Sequence, residues 1–161
     1  MALTNIERMI NLAEEVFDTR NDPEQLDVDH EVLDRLQRIH PAAVSEYDDG
    51  NGPAAWILLI PTTRALMQDF VESRISEKEL FLMTPENGAY DALYLCSALV
   101  LEEYRRKGIA RKLTLKAIEK IRKDHPVQTL FVWPYSTEGD KAAVSIAQLT
   151  GLPLTRFTKR K

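Results

Sequence analysis

The chain has 161 residues, 44% hydrophobic and 29% charged, a balance that supports a packed core and excludes whole-chain disorder. Six glycines and eight prolines exclude a collagen-like or linker-like chain, and a single cysteine, Cys96, excludes an intrachain disulfide framework or a multi-cysteine zinc site. A formal net charge of −4 weighs against a surface built to grip nucleic acid.

The length suits one domain over residues 1–161. No apolar run approaches the roughly 18 residues of a membrane span. The N-terminus is acidic and amphipathic, without a basic leader or small-residue cleavage site, so a soluble, reducing, cytoplasmic setting is expected. His30, His40 and His125 lack metal-ligand spacing and read as surface or capping residues.

Thr4 and Glu7 form a capping-box pattern. It opens a helix with Ile6, Met9, Ile10, Ala13, Val16 and Phe17 on one stripe. Asp22-Pro23 starts a short turn. Val32, Leu33, Leu36 and Ile39 mark a second helix that ends before Pro41. Residues 43–47 and 54–60 flank the turn sequence 48–53 and predict a hairpin. Residues 62–83 predict one helix, a break, and a short second helix opened by a capping box at Ser76 and Glu79.

Residues 93–101 read as a largely buried strand. A charged turn follows, then an amphipathic helix over 109–123 with Ile109, Leu113, Ala117 and Ile121 recurring every four residues. Residues 127–133 form another strand. Gly139-Asp140 caps a last helix that ends at Gly151, and 154–157 forms an edge strand. The alternation gives an α/β (α+β) chain with a strand–helix–strand unit over 93–133.

The charge is unevenly spread. Residues 1–49 carry −9, whereas residues 102–123 carry +6. A basic stretch of this kind is either a solvated helix face or a local anion site. The anion reading gains weight from its position. A helix N-terminus offers unbonded N–H groups and the positive end of the dipole, and Gly108 lets a ligand approach the backbone. Arg105, Arg106, Lys107 and Arg111 surround it. Neither a P-loop nor a three-glycine dinucleotide fingerprint is present.

What stands is Val100-Leu101-Glu102-Glu103-Tyr104-Arg105-Arg106-Lys107-Gly108-Ile109-Ala110-Arg111-Lys112-Leu113, directly after a strand. Its core, Arg105 to Ala110, fits Arg/Gln-x-x-Gly-x-Gly/Ala. The segment resembles motif A of the GNAT superfamily of acyl-CoA N-acyltransferases.

The resemblance implies a mixed, mostly antiparallel central sheet flanked by helices, with splayed parallel strands at a CoA slot. It implies acetyl-CoA as cosubstrate, no metal, and direct transfer of the acetyl group to an amine. The pyrophosphate role falls to Arg106, Lys107, Gly108, Ile109, Ala110 and Arg111. Leu99, Val100 and Leu101 match the strand positions that bond the pantetheine arm, and a backbone N–H near Leu99–Val100 would polarise the thioester carbonyl. Many relatives are dimers, so a homodimer is within its scope. An acyl-CoA-binding or sensing module of the same fold, without turnover, is the alternative.

The downstream match is looser. Asp140, Ala143, Ala147, Gly151 and Leu152 occupy the places of Asn-x-x-Ala-x-x-x-Tyr-x-x-x-Gly-Phe, and Ala147 stands where the family has its acidic tyrosine. Either another group such as Tyr135 or Ser136 protonates the thiolate, or it leaves without help from the protein, or catalysis is weak or lost. For the base that deprotonates the amine, Glu102, Glu103 and Glu46 are candidates by position. Cys96 lacks a histidine placed to activate it and reads as core filler. The helical stretch 62–83 replaces a short hairpin of the family and either walls the acceptor side or covers the sheet. The acidic N-terminal 49 residues point weakly to a cationic acceptor.

Overall fold

A computed structural model describes residues 3–20, 26, 30–134 and 136–158 of the chain. Helices α1 (Asn5–Arg20) and α2 (His30–Ile39) precede strands β1 (Val44–Asp48) and β2 (Pro53–Thr62). Helices α3 (Arg64–Val71) and α4 (Glu77–Met83) lead to β3 (Ala92–Val100), then α5 (Ile109–Asp124), β4 (Thr129–Val132), α6 (Thr137–Thr150) and β5 (Leu154–Arg156).

The strands form one sheet in the order β1-β2-β3-β4-β5. β1–β2 and β2–β3 are antiparallel, while β3–β4 and β4–β5 are parallel. The sheet is therefore mixed, as expected, and its two antiparallel ladders are the longer ones. Crossover helices α5 and α6 carry the parallel returns, because a parallel strand cannot be reached by a tight turn.

Side-chain alternation along β2 and β3 separates two cores. Leu58, Ile60 and Tyr94 join Leu36 of α2, Phe70 of α3 and Leu80 of α4 on one face. Ile57, Leu59 and Leu93 join Ile118 and Ile121 of α5 and Ile146 of α6 on the other. The stretch 62–83 thus forms two helices, and Met67, Phe70, Leu80 and Phe81 cover the sheet. Ser76 and Glu79 make the expected reciprocal cap.

Helix α1 lies over the far end of β2 and β3, where Met9 packs with Ala54, Leu99 and Leu101. Its Thr4–Glu7 cap is present. The predicted stripe is corrected, however: Ile6 and Ile10 are 43% and 46% exposed, and the docked side is Met9, Leu12, Ala13 and Val16. Phe17 and Asp22-Pro23 lie outside the described side chains and residues. Among the described residues, no helix is long and apolar enough to cross a membrane.

Candidate active site

Two irregularities in β3 open the site. Ser97 lies opposite Leu58 and Leu95 opposite Leu59, so Cys96 is an extra residue, a β-bulge in the ladder. On the other edge, the parallel ladder with β4 ends at the pair Leu95–Val132. β3 continues to Val100 while the chain after Val132 turns away through Trp133 and Pro134 into α6.

The parting strands leave a cavity of about 500 Å³. Leu12 and Val16 of α1 border it on one side, and Ala143 and Ile146 of α6 on the other. β3 lines it from Leu95 to Val100, together with Trp133. Trp133 is fixed by edge-on packing against Phe70 and Phe157. Arg105 and Thr114 mark the end nearest α5.

The α5 start is shaped for an anion. Gly108 adopts φ +76°, the left-handed region that glycine enters without a Cβ clash, and Arg106 adopts φ +65°. The Lys112 N–H bonds to Gly108 O. The N–H groups of Ile109, Ala110 and Arg111 precede it and have no intrahelical acceptor. Arg106, Lys107 and Arg111 are exposed and make no ion pair among the described residues. Lys107 Nζ stands 5.8 Å from the Tyr104 ring centroid. Backbone donors, the positive end of the helix dipole and exposed cations thus lie together within residues 106–111, a combination that can hold an anion.

The strand residues divide. Leu99 and Val100 line the slot, but Leu101 does not. The Leu101 N–H is spent on Ala54 O, and its side chain packs beside Met9. Backbone direction alternates along a strand, so Val100 turns its carbonyl to the open edge, where Arg105 Nε donates to it over 2.9 Å.

The acid–base candidates are mostly placed elsewhere. Glu102 and Glu103 sit in a 3₁₀ turn (Glu102–Tyr104), and neither lines the slot. Both Glu103 oxygens accept from Arg8 Nη2 at 2.7 Å. That bond holds the Glu103 carboxyl below its ordinary range, which weakens it as a base. Glu46 accepts from Trp56 Nε1 on the exposed side of β1. Tyr135 lies outside the described residues. Ser136 lines the slot, but its Oγ accepts the Gly139 N–H as the cap of α6, so that helix begins at Thr137 rather than at Gly139-Asp140. Ala147 packs into the core beneath α6.

Sequence reasoning passed over Ser97. Ser97 is one of the residues that line the slot, and its hydroxyl is buried with no hydrogen-bond partner among the described residues. The signal was a lone serine in the otherwise apolar run after Tyr94.

A family model described as Acetyltransferase (GNAT) family matches residues 6–148. No curated protein shows significant similarity to the chain.

Proposed function

Since this chain belongs to the GNAT acetyltransferase family, we propose that it is an N-acetyltransferase that moves the acetyl group of acetyl-CoA directly to an amine. The carrying observation is the parting of β3 and β4 after Leu95–Val132, which leaves a slot beside the basic turn at Gly108.

Arg106, Lys107, Gly108, Ile109, Ala110 and Arg111 hold the diphosphate. Leu99 and Val100 guide the pantetheine arm along the open strand edge. When bound, acetyl-CoA supplies an activated acyl group whose thiol is a good leaving group. The protein binds, orients and excludes water from the reacting end between Trp133 and α6. The whole chain 1–161 serves as one such domain, with the two helices of 62–83 as an insertion, in a cytoplasmic setting. The acceptor is a small-molecule or peptide amine.

Calorimetric titration with CoA tests this reading. Saturable binding is expected, and Arg106→Ala with Lys107→Ala should weaken it about tenfold or more, in a salt-dependent way, while the melting temperature holds. No binding at millimolar CoA would overturn it.

Ala147 favours a second reading, a non-catalytic acyl-CoA-binding module, because alanine offers no acid to the leaving group. Thiol release from acetyl-CoA across a panel of amines separates the two: binding without release on any amine supports the module.

A further inference from the structure

Among the described residues, three that carry a hydroxyl line the slot: Ser97, Thr114 and Ser136. Thr114 Oγ1 donates to Ala110 O over 2.7 Å, and Ser136 Oγ is occupied by the Gly139 N–H at 2.9 Å. Of the three, Ser97 Oγ is the one buried with no partner among the described residues. A buried hydroxyl forgoes its bonds to water, so an unpaired one is unfavourable unless a ligand completes it. The flanking residues of β3 are Cys96, Ala98 and Leu99, and any of their side chains would fill the place without an unmet hydrogen bond.

Position sharpens the point. Ser97 directly follows the bulge at Cys96 and lies on the stretch of β3 that β4 has already left. Ser97, Arg105 and Trp133 all line the same slot. A thiol ester entering from the Gly108 turn presents its sulfur to this stretch. On α6 the slot is lined by Glu138, Gly139, Ala142, Ala143 and Ile146; of these only Glu138 has a polar side chain, and a carboxylate accepts rather than donates.

Resting on the acetyl-transfer reading, we propose that the Ser97 hydroxyl is the hydrogen-bond donor to the thioester sulfur, taking the part that Ala147 leaves empty. As the amine nitrogen bonds to the acyl carbon, the carbon–sulfur bond breaks and its electron pair stays on sulfur. Ser97 Oγ–H donates to that developing thiolate and keeps its own proton. The amine releases its surplus proton to water, and the thiolate takes one from water as it leaves. Donation to an anionic sulfur is stronger than donation to a neutral thioester, so the bond lowers the barrier more than it tightens binding.

The test compares CoA with desulfo-CoA, in which hydrogen replaces the thiol, on the parent and on Ser97→Ala by calorimetry at about pH 9.5, above the ordinary thiol pKa of about 8.5, so that the sulfur is presented as thiolate. The parent should prefer CoA by about tenfold, the size of one charge-assisted hydrogen bond. Ser97→Ala should bind desulfo-CoA like the parent, which also reports an intact fold, and should lose the preference. With an amine that the parent turns over, kcat should fall about tenfold or more with KM for acetyl-CoA little changed. If Ser97→Ala keeps the preference, or weakens both ligands equally, the assignment of Ser97 is wrong. If the parent binds neither ligand, the acetyl-transfer reading fails and takes this inference with it.

Discussion

Tyr94 and Glu77 meet inside the core: the Tyr94 hydroxyl donates to Glu77 Oε2 over 2.5 Å, and Glu77 Oε1 accepts the Leu26 N–H at 2.6 Å. Glu77 is only 3% exposed, although it opens the first turn of α4. One carboxylate thereby ties the inserted helices to the central strand and to the segment between α1 and α2. Tyr94→Phe keeps the ring packing against Phe70 and Phe131 and removes only the donor. It should lower stability by about 1–3 kcal/mol in urea unfolding, the cost of stripping a bond from a buried polar group. An unchanged unfolding midpoint would show that water or another donor replaces the hydroxyl.

The turn at Gly108 offers a second measurement. A Cβ there would meet Arg111 Nη2 at 3.8 Å, an ordinary contact, so the obstacle is φ +76° and not space. Gly108→Ala should therefore cost about 1–2 kcal/mol through conformation alone. CoA affinity should fall as well, because relaxation of the turn moves the N–H groups of Ile109 to Arg111. Unfolding curves with and without CoA separate the two effects.

The carboxylates of the 102–104 turn lie off the slot. Glu103→Gln and Glu102→Gln should each leave kcat within about twofold of the parent. Steady-state rates on any amine that the parent turns over provide the check. A loss of two orders of magnitude in either variant would restore that glutamate as a base.

Acid should loosen the fold through His125. Its ring packs tilted against Tyr90 at 4.6 Å and meets His40 edge-on at 5.8 Å. Burial holds the His125 pKa below its ordinary 6.5, against the opposing pull of Asp124. The unfolded chain then binds the proton more readily than the folded one. This residue's contribution to stability is complete above about pH 6.5 and is lost as pH falls below that value. His40 is held by other bonds: Nδ1 accepts the Ala42 N–H, which leaves Nε2 to donate to Asp124 Oδ2. Melting temperatures between about pH 5 and 8 should slope less steeply for His125→Asn than for the parent. Identical slopes would remove His125 from the account.

Much of this architecture was legible because it rests on short-range chemistry. The four-residue recurrence of Ile109, Leu113, Ala117 and Ile121 gave α5, and the Ser76–Glu79 cap gave α4. Gly108 after a buried strand gave the anion turn. What escaped depends on partners distant in the chain. Periodicity marks an apolar stripe on α1 but not which edge of it docks, so Ile6 and Ile10 were assigned to a core they do not reach. Glu103 reads as a free carboxylate until Arg8, 95 residues away, is seen to hold it. The slot itself is a pairing fact, the end of the β3–β4 ladder at Leu95–Val132, and no local pattern encodes it. Ser97 gains its interest only when every neighbour's hydrogen bonds have been counted.

The inserted helices enter and leave the sheet at one point. Thr62, the last residue of β2, pairs across the ladder with Ala92, the first of β3, and the Asp91 N–H closes on Thr62 O. In topology the stretch is only a long hairpin loop, whose closure costs little more than that of a short one. In packing it is a layer of the core, since Phe70 lies against Tyr94, Phe131 and Trp133. A cut in the turn between α4 and β3 would sever the chain without parting the pieces. Each fragment would carry one side of the same apolar interface, so the protein has a natural place to be split and reassembled.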